Sequence, residues 1–295
     1  MTSKKNNNRI EVVKTWKLYM GGAFPRSESG RSTEVTNAGG RIVGHVCRAS
    51  RKDLRDAVDT ARKAAEGWAR RSGYNRGQIL YRMAEMAEGR RDELTRAIVD
   101  CRGGSTAEAR RETDATIDRL VSMAGWTDKV DQVHGCRNQV AGAFHDMSIP
   151  EPMGVVGVIA PKKPSLLGLV SLIAPALATG SVVVALGSEP HPIPTVLLGE
   201  ICATSDVPDG VVNLLTGRTN ELLPHFASHR NLNAVMAAGL SAKQRKELQV
   251  GAVDALTRTR PSLDSKPFDD DDYWTSPAIL APYLEIKTLW HPIGS

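Results

Sequence analysis

The chain has 295 residues, 41% of them apolar and 24% charged, an ordinary balance for a globular protein. This excludes a disordered chain, a collagen-like chain and a disulfide-stapled mini-protein, and leaves room for one large domain or two modest ones. The 38 Lys and Arg against 33 Asp and Glu give a formal charge of +5, too weak an excess to point to a partner.

Residues 1–15 read as a loose, disordered tail. Its polar and basic opening, MTSKKNNNR, has no apolar segment behind it, so no secretory signal is expected. Residues 16–20 (WKLYM) read as a short strand ending at Gly21-Gly22, and residues 43–47 as a second. Leu54, Val58, Ala61, Ala65 and Trp68 step by four and three, the spacing of one helical face. Asp53 and Asp56 sit early in that helix, where the dipole favours acids. A second helix is expected over residues 76–100, with Leu80, Met83, Ala87, Leu94 and Ile98 inward. A third follows Arg102-Gly103-Gly104 and buries Ala109, Thr113, Ile117, Leu120 and Ala124. Their basic residues fall on the solvated side. Strand and helices together make an N-terminal layer over residues 16–134.

At Gly135 the texture changes. Residues 140–147 and 148–154 read as a hairpin or an extended arm. Residues 154–160 (GVVGVIA) form a continuous apolar run, as expected for a strand covered on both faces. Helices at 165–178, 193–204, 220–229 and 242–249 then alternate with strands at 182–186, 211–215 and 234–238. That rhythm predicts an α/β fold, a doubly wound, Rossmann-like parallel sheet over residues 154–250. Residues 165–188 carry no charge, but Pro175 and Gly180 interrupt them. A helix, a turn and a strand explain this better than a membrane span, so no membrane partner is expected. Residues 251–282 contain RTRPSLDSKPFDDDD and read as a linker, the Asp run at 269–272 being a solvated stretch. Residues 283–290 (YLEIKTLW) read as a last strand with Leu284, Ile286, Thr288 and Trp290 on one face, inside a closing segment at 283–295.

Cys47, Cys101, Cys136 and Cys202 are far apart and form no C-x-x-C. They offer no zinc pattern and read as reduced thiols of a cytoplasmic protein. Cys202 is expected in the buried face of its helix. Cys101, before a Gly-Gly turn, is expected at the surface, with no base near it in sequence. His225 and His229 lie one turn apart, with Glu221 a turn earlier, a spacing that can put three ligands on one face. No fourth candidate has motif spacing, so two solvated histidines are the preferred reading and no metal is expected. Lys162-Lys163 either attract an anion at the carboxyl edge of the sheet or form a plain surface pair. No G-x-G-x-x-G is present. Basic residues are interleaved with acids, so no nucleic-acid partner is expected.

Several of these segments, in order, resemble the aldehyde dehydrogenase superfamily. They are residues 151–161 (EPMGVVGVIAP), 174–186 (APALATGSVVVAL), Glu189, 207–217 (VPDGVVNLLTG), 227–229 (ASH) and Gly239. Residues 16–24 (WKLYMGGAF) resemble the family's opening strand, 51–130 its leading helices, and YLEIKTLW its final oligomerisation strand. The resemblance implies a Rossmann-like nucleotide-binding layer with N-terminal helices, and a protruding β-flap built from strands within 135–153 and 283–295.

It also exposes departures. Family members carry a catalytic domain between the last nucleotide-domain helix and the terminal strand. Here that interval is residues 251–282, too short for a domain, which needs at least ~50 residues. The family's cysteine nucleophile and its Glu-Leu-Gly-Gly base motif have no counterpart, so no catalytic residue is assigned. Pro161, Glu189, Gly217 and Gly239 carry over as a degenerate NAD-type site. Lys162 and Lys163 replace a Trp-Asn pair whose Asn donates to the oxyanion. Leu186 replaces the ribose-contacting lysine, Thr219 and Leu223 replace glycines of the phosphate-facing loop and helix, and Leu240 replaces a serine on the pyrophosphate. Leucine at 223 or 240 fills space that close backbone approach needs and offers no donor. No cofactor is therefore expected, NAD(P) if any. In the family the flap adds strands to a neighbour's catalytic domain, a form of β-augmentation. Leu18, Tyr283, Leu284, Ile286, Thr288 and Trp290 are expected at that surface, left open in a chain without a catalytic domain of its own. The expectation is a non-catalytic pseudoenzyme subunit that assembles with a full-length catalytic homologue. The alternatives are an active NAD(P)-dependent aldehyde oxidoreductase with an unrecognised nucleophile, and a homodimer that pairs its own flaps.

Overall fold

The computed structural model describes residues 12–293. Residues 1–11 of the expected tail lie outside the described residues; at its inner end Thr15 pairs with His45. Strands β1 (Thr15–Trp16), β2 (Ser32–Thr36) and β3 (Ile42–Cys47) form a small sheet in the order β1-β3-β2. The strand expected over 16–20 is broken. Tyr19 bridges Leu214 and Met20 turns back onto Ala23, because Gly21 and Gly22 take φ of 59° and 75°, open only to glycine at low cost. Strand β2 escaped prediction because it buries a single apolar residue, Val35.

Helix α1 (Arg51–Ala69) is set by a capping box. Ser50 accepts from Lys52 and Asp53 N–H, and Asp53 bonds back to the Ser50 N–H. Two helices stand where one was expected, α2 (Gly73–Gly89) and α3 (Arg91–Arg102). Arg90 leaves helical geometry (φ −110°, ψ 16°), and its guanidinium reaches Glu93 and Glu200. Periodicity misses the break because Ala87 and Leu94 stay seven apart. Helix α4 (Thr106–Trp126) buries Ala109, Thr113, Ile117 and Leu120 as predicted, and the short α5 (Val130–His134) follows.

The next elements are β4 (Cys136–Asn138), β5 (Phe144–Pro152), β6 (Val155–Ile159), α6 (Leu167–Ala178), β7 (Val182–Leu186), α7 (Ile193–Ala203), β8 (Val212–Leu215), α8 (Thr219–Ser228), β9 (Ala234–Ala237), α9 (Ala242–Gly251) and β10 (Arg258–Arg260). Five strands pair in parallel in the order β10-β9-β6-β7-β8, as the alternation predicts. Every residue of β6, β7 and α6 is buried. The uncharged stretch is thus the sheet's core, and among the described residues no helix is long and apolar enough to cross a membrane. Right-handed crossovers put α6 and α7 on one face and α8 and α9 on the other.

The expected linker at 251–282 is folded instead. β10 is the sheet's fifth strand. Leu263, Phe268, Trp274, Ile279 and Leu280 are buried, and Phe268 stacks on Trp274 with centroids 4.8 Å apart. The Asp run is not simply solvated. Asp270 accepts the Tyr273 N–H, and Asp271 pairs with the fully buried Arg119 at 3.0 Å. A short helix, α10 (Asp271–Trp274), and a 3-10 turn (Pro277–Tyr283) lead into β11 (Leu284–Pro292).

β11 pairs antiparallel with β5 along its whole length, from Leu284 opposite Pro152 to Pro292 opposite Phe144. The hairpin is β4 with β5, not the expected split at residue 148. The three strands order as β11-β5-β4, so β11 is the outer edge.

Candidate functional site

Strand order reverses at β6, and in an open α/β sheet the ligand crevice forms at such a point, along the carboxyl ends. A cavity of about 510 Å³ lies there. Ile159 ends β6 and Ala160 follows it, Ala238, Gly239 and Leu240 follow β9, and Gly217, Arg218, Thr219 and Asn220 enter α8; Thr33, Glu34, Val35, Thr36, Val46 and Cys47 of the small sheet close it. The sequence reading missed this last wall with β2.

Two of the crevice's backbone donors are already engaged. The Thr219 N–H, at the start of α8, donates to Glu189 Oε2 at 2.9 Å. The Gly239 N–H donates to Asp264 Oδ2, also at 2.9 Å, and Asp264 also accepts from Ser262 Oγ. Asp264 belongs to the stretch that was expected to be linker. The start of α9 is closed by Ser241 and Gln244 in a capping box, and Gln244 Nε2 donates on to Asn220 Oδ1 at 2.8 Å. Helix N-termini and free N–H groups attract anions; here this chain's own carboxylates and caps meet that demand.

Of the predicted positions, Lys162, Glu189, Gly217, Gly239 and Leu240 line the crevice together with Thr219. Leu186 and Leu223 do not; both are fully buried in the core, so Leu223 blocks nothing in the crevice. Pro161 lies beneath Gly239. A Cβ on Gly239 would sit 3.2 Å from Pro161 Cα, at φ +70°. Gly217 is held similarly, its would-be Cβ 3.3 Å from Leu222 and 3.4 Å from the Ala49 backbone. Packing is reason enough for these three residues. Lys162 and Lys163 separate, since Lys163 lines a different cleft beside Arg102, Arg111 and Lys266.

The thiols divide. Cys101, expected at the surface, is buried, as is Cys202, and burial pushes both thiols up to about 12. Cys136 is exposed on the flap and donates to Asn138 Oδ1. Cys47 lines the crevice, but no histidine lines it to act as a base. Glu221 does not join His225 and His229; Arg48 and Arg31 hold it instead. Among the described residues no three His, Cys, Asp or Glu side chains gather to hold a metal.

On the flap, Ile286 is 54% and Trp290 59% exposed. The ring of Trp290 meets Phe144 edge-on at 5.8 Å. Register puts Ile286, Thr288, Trp290, Pro150 and Phe144 on one face and Met147, Ile149 and Leu289 on the other. The structure removes Leu18 and Tyr283 from this surface. Both are buried, at 1% and 0%, and Leu284 is nearly so at 8%.

The family model described as the aldehyde dehydrogenase family matches residues 24–259. The chain belongs to the aldehyde dehydrogenase family. It is 29% identical over 237 residues to the D-glyceraldehyde dehydrogenase (NADP(+)) of Thermoplasma acidophilum, covering 79% of this chain and 47% of that protein. It is 30% identical over 283 residues to aldehyde dehydrogenase 1 of Tanacetum cinerariifolium, covering 92% and 56%. The NAD+ complex of the Bacillus cereus aldehyde dehydrogenase superposes with a TM-score of 0.79 at 26% identity, over 83% of this chain and 50% of that one. The chain thus spans about half the length of the relatives it matches. The family match ends at Thr259, inside β10, so the turn back over the crevice and β11 lie beyond it.

A dinucleotide phosphate in this crevice would compete with carboxylates of the chain itself. Glu189 accepts the N–H of Thr219, where the resemblance has a glycine of the phosphate-facing loop, and Asp264 accepts the N–H of Gly239, next to the position of the pyrophosphate serine. Each carboxylate within about 4 Å of a phosphate charge opposes it by ~1–4 kcal/mol, depending on local screening.

Proposed function

We propose that this chain is a non-catalytic aldehyde dehydrogenase subunit that assembles with a full-length catalytic homologue and stabilises or regulates it. The observation that carries the reading is the outer edge of β11, with nine residues paired to β5 on one side and Ile286 and Trp290 more than half exposed. An edge strand with apolar side chains is a surface for strand addition. The self-capped crevice supports the non-catalytic half of the reading. Co-expression with a full-length homologue from the same source, followed by size exclusion, tests assembly. Co-elution in a defined ratio is expected. Separate elution, or a homodimer of this chain that ignores the homologue, would refute it.

A second reading, an active NAD(P)-dependent aldehyde oxidoreductase, draws support from Cys47, the one thiol that lines the crevice. It requires cofactor binding. A ligand bound only by the native state raises the unfolding temperature, so a saturable rise with NAD or NADP, or aldehyde turnover by the purified chain, would establish this reading and overturn the first.

A further inference from the structure

A recess of about 210 Å³ lies between the first turns of α1 and the end of α8, away from both the crevice and the flap. Its walls are Arg51, Arg55, His225, His229 and Arg230, with Leu54 as an apolar floor and the Ser228 hydroxyl turned to the Pro224 carbonyl. No carboxylate lines it. Four larger clefts of the molecule instead mix acids with bases: Glu34 and Glu189 in the crevice, Glu88, Asp92 and Glu93 beside α3, Asp92 again near Thr106, and Glu108, Glu112, Asp264 and Asp269 beside Lys163.

The partners of these basic groups are few. Arg55 is held by Asp56 at 2.9 Å. Asp59, further along α1, interacts with His229. The guanidinium groups of Arg51 and Arg230 have no hydrogen-bond or ion-pair partner among the described residues, and Arg51 acts on His225 as a like charge. His229 Nδ1 accepts the Asn231 N–H at 3.3 Å, which leaves Nε2 to carry the hydrogen in the neutral ring and to donate. The recess therefore places two arginines without partners and two histidines around space that no carboxylate lines. Guanidinium forks match tetrahedral oxyanions two bonds at a time.

We infer that this recess is a binding site for a phosphate dianion, free or as the head of a phosphomonoester. Arg51 and Arg230 supply the forks, and His225 and His229 supply single donors. Leu54 lies where the organic part of an ester would rest. The inference is independent of the proposed assembly and of any dinucleotide.

The test uses the purified full chain, first with inorganic phosphate and then with glycerol 3-phosphate, at ionic strength held constant with sodium chloride. Calorimetry and thermal shift read binding. A saturable rise in unfolding temperature is expected with phosphate and not with chloride. Binding should weaken at least ~10-fold in Arg51→Gln/Arg230→Gln, since each charge-assisted pair contributes more than a factor of ten. Both residues are exposed, so this variant keeps the fold; its unfolding temperature without phosphate checks that. A tighter constant for glycerol 3-phosphate identifies an ester ligand, and equal constants identify the free anion. An equal response to chloride, an unchanged constant in the double variant, or no response to either phosphate overturns the inference.

Discussion

Arg119→Met tests whether residues 251–282 are part of the fold or only connect its parts. Arg119 is fully buried in the middle of α4. It donates to Ser171 Oγ of α6 at 2.6 Å, to the Phe268 carbonyl at 3.1 Å and to Asp271 at 3.0 Å, and lies 5.8 Å from the Trp274 ring. Methionine keeps most of the apolar stem and removes every donor. Two buried acceptors lose a charged donor, each such bond contributing ~1.5–3 kcal/mol. The Asp271 side chain is 66% exposed, so its pair adds only ~0–1 kcal/mol. Burial pushes the Arg119 pKa down, with Asp271 opposing, so the buried charge has its own cost, which methionine relieves. The net loss expected is ~2–3 kcal/mol, read as a lower urea midpoint at unchanged slope. Asp271→Asn, which removes only the exposed partner, should cost less than ~1 kcal/mol. Limited proteolysis supplies a second readout, with cleavage inside 251–282 accelerating in Arg119→Met. A midpoint within ~0.5 kcal/mol of the parent, together with unchanged cleavage, would show that the segment is not anchored as described.

Three more outcomes are expected. A disulfide reagent at pH 8 should modify Cys136 rapidly and Cys101 and Cys202 only on unfolding, because Cys136 is exposed while burial holds the other two near 12; fast reaction of Cys101 or Cys202 in the native protein, located by peptide mapping, would contradict the burial. Burial lowers the pKa of His225, with Arg51 adding, and of His229, with Asp59 opposing. The unfolded chain therefore takes up protons first, near pH ~6.5, so stability falls as pH drops through that value toward the lowered native ones. In phosphate-free buffer that fall should be shallower in His225→Gln/His229→Gln, and an identical slope in parent and variant would contradict it. On the flap, Ile286→Asp/Trp290→Asp should leave the chain's own stability within ~0.5 kcal/mol, both residues being exposed, yet weaken association with the full-length homologue at least ~10-fold, the loss of one buried aromatic anchor; undiminished co-elution would place the interface elsewhere.

The sheet was legible because its strands are continuous apolar runs with turn residues between them, and burial on both faces leaves no other composition possible for β6 and β7. The family was legible from the same block, since its glycines and prolines are tied to backbone packing at Gly217, Gly239 and Pro161. Other features were not. Strand β2 hides because four of its five residues are exposed. The α2–α3 break hides because the apolar spacing runs straight through Arg90. The region 251–282 reads as polar because its anchors are sparse: Leu263, Phe268 and Trp274 are spread over twelve residues, and their partner Arg119 lies on a distant helix. Leu18 and Tyr283 were placed at the flap surface by resemblance, whereas the core takes both. The recess at His225 and His229 was visible only as a histidine pair, because Arg51 and Arg55 reach it from a helix far earlier in the chain.

The crevice shows how the residues of a binding layer can serve packing as well as a ligand. Gly217 and Gly239 sit in tight packing, Gly239 against Pro161, whether or not a phosphate ever approaches. Glu189 is different. The resemblance gives it a lysine neighbour on the ribose, but here that neighbour is Leu186, fully buried, and the carboxylate turns to the Thr219 N–H at 2.9 Å. A helix N-terminus with unsatisfied donors favours an anion by ~0.3–1 kcal/mol when exposed, so an unpaired glutamate nearby is drawn onto it. Asp264 does the same at Gly239 from the region that the family match does not reach. With both carboxylates seated, a phosphate entering the crevice has two internal acids to displace. Leu240 lines the same crevice, so that phosphate would meet its side chain as well, and neither change alone clears its path.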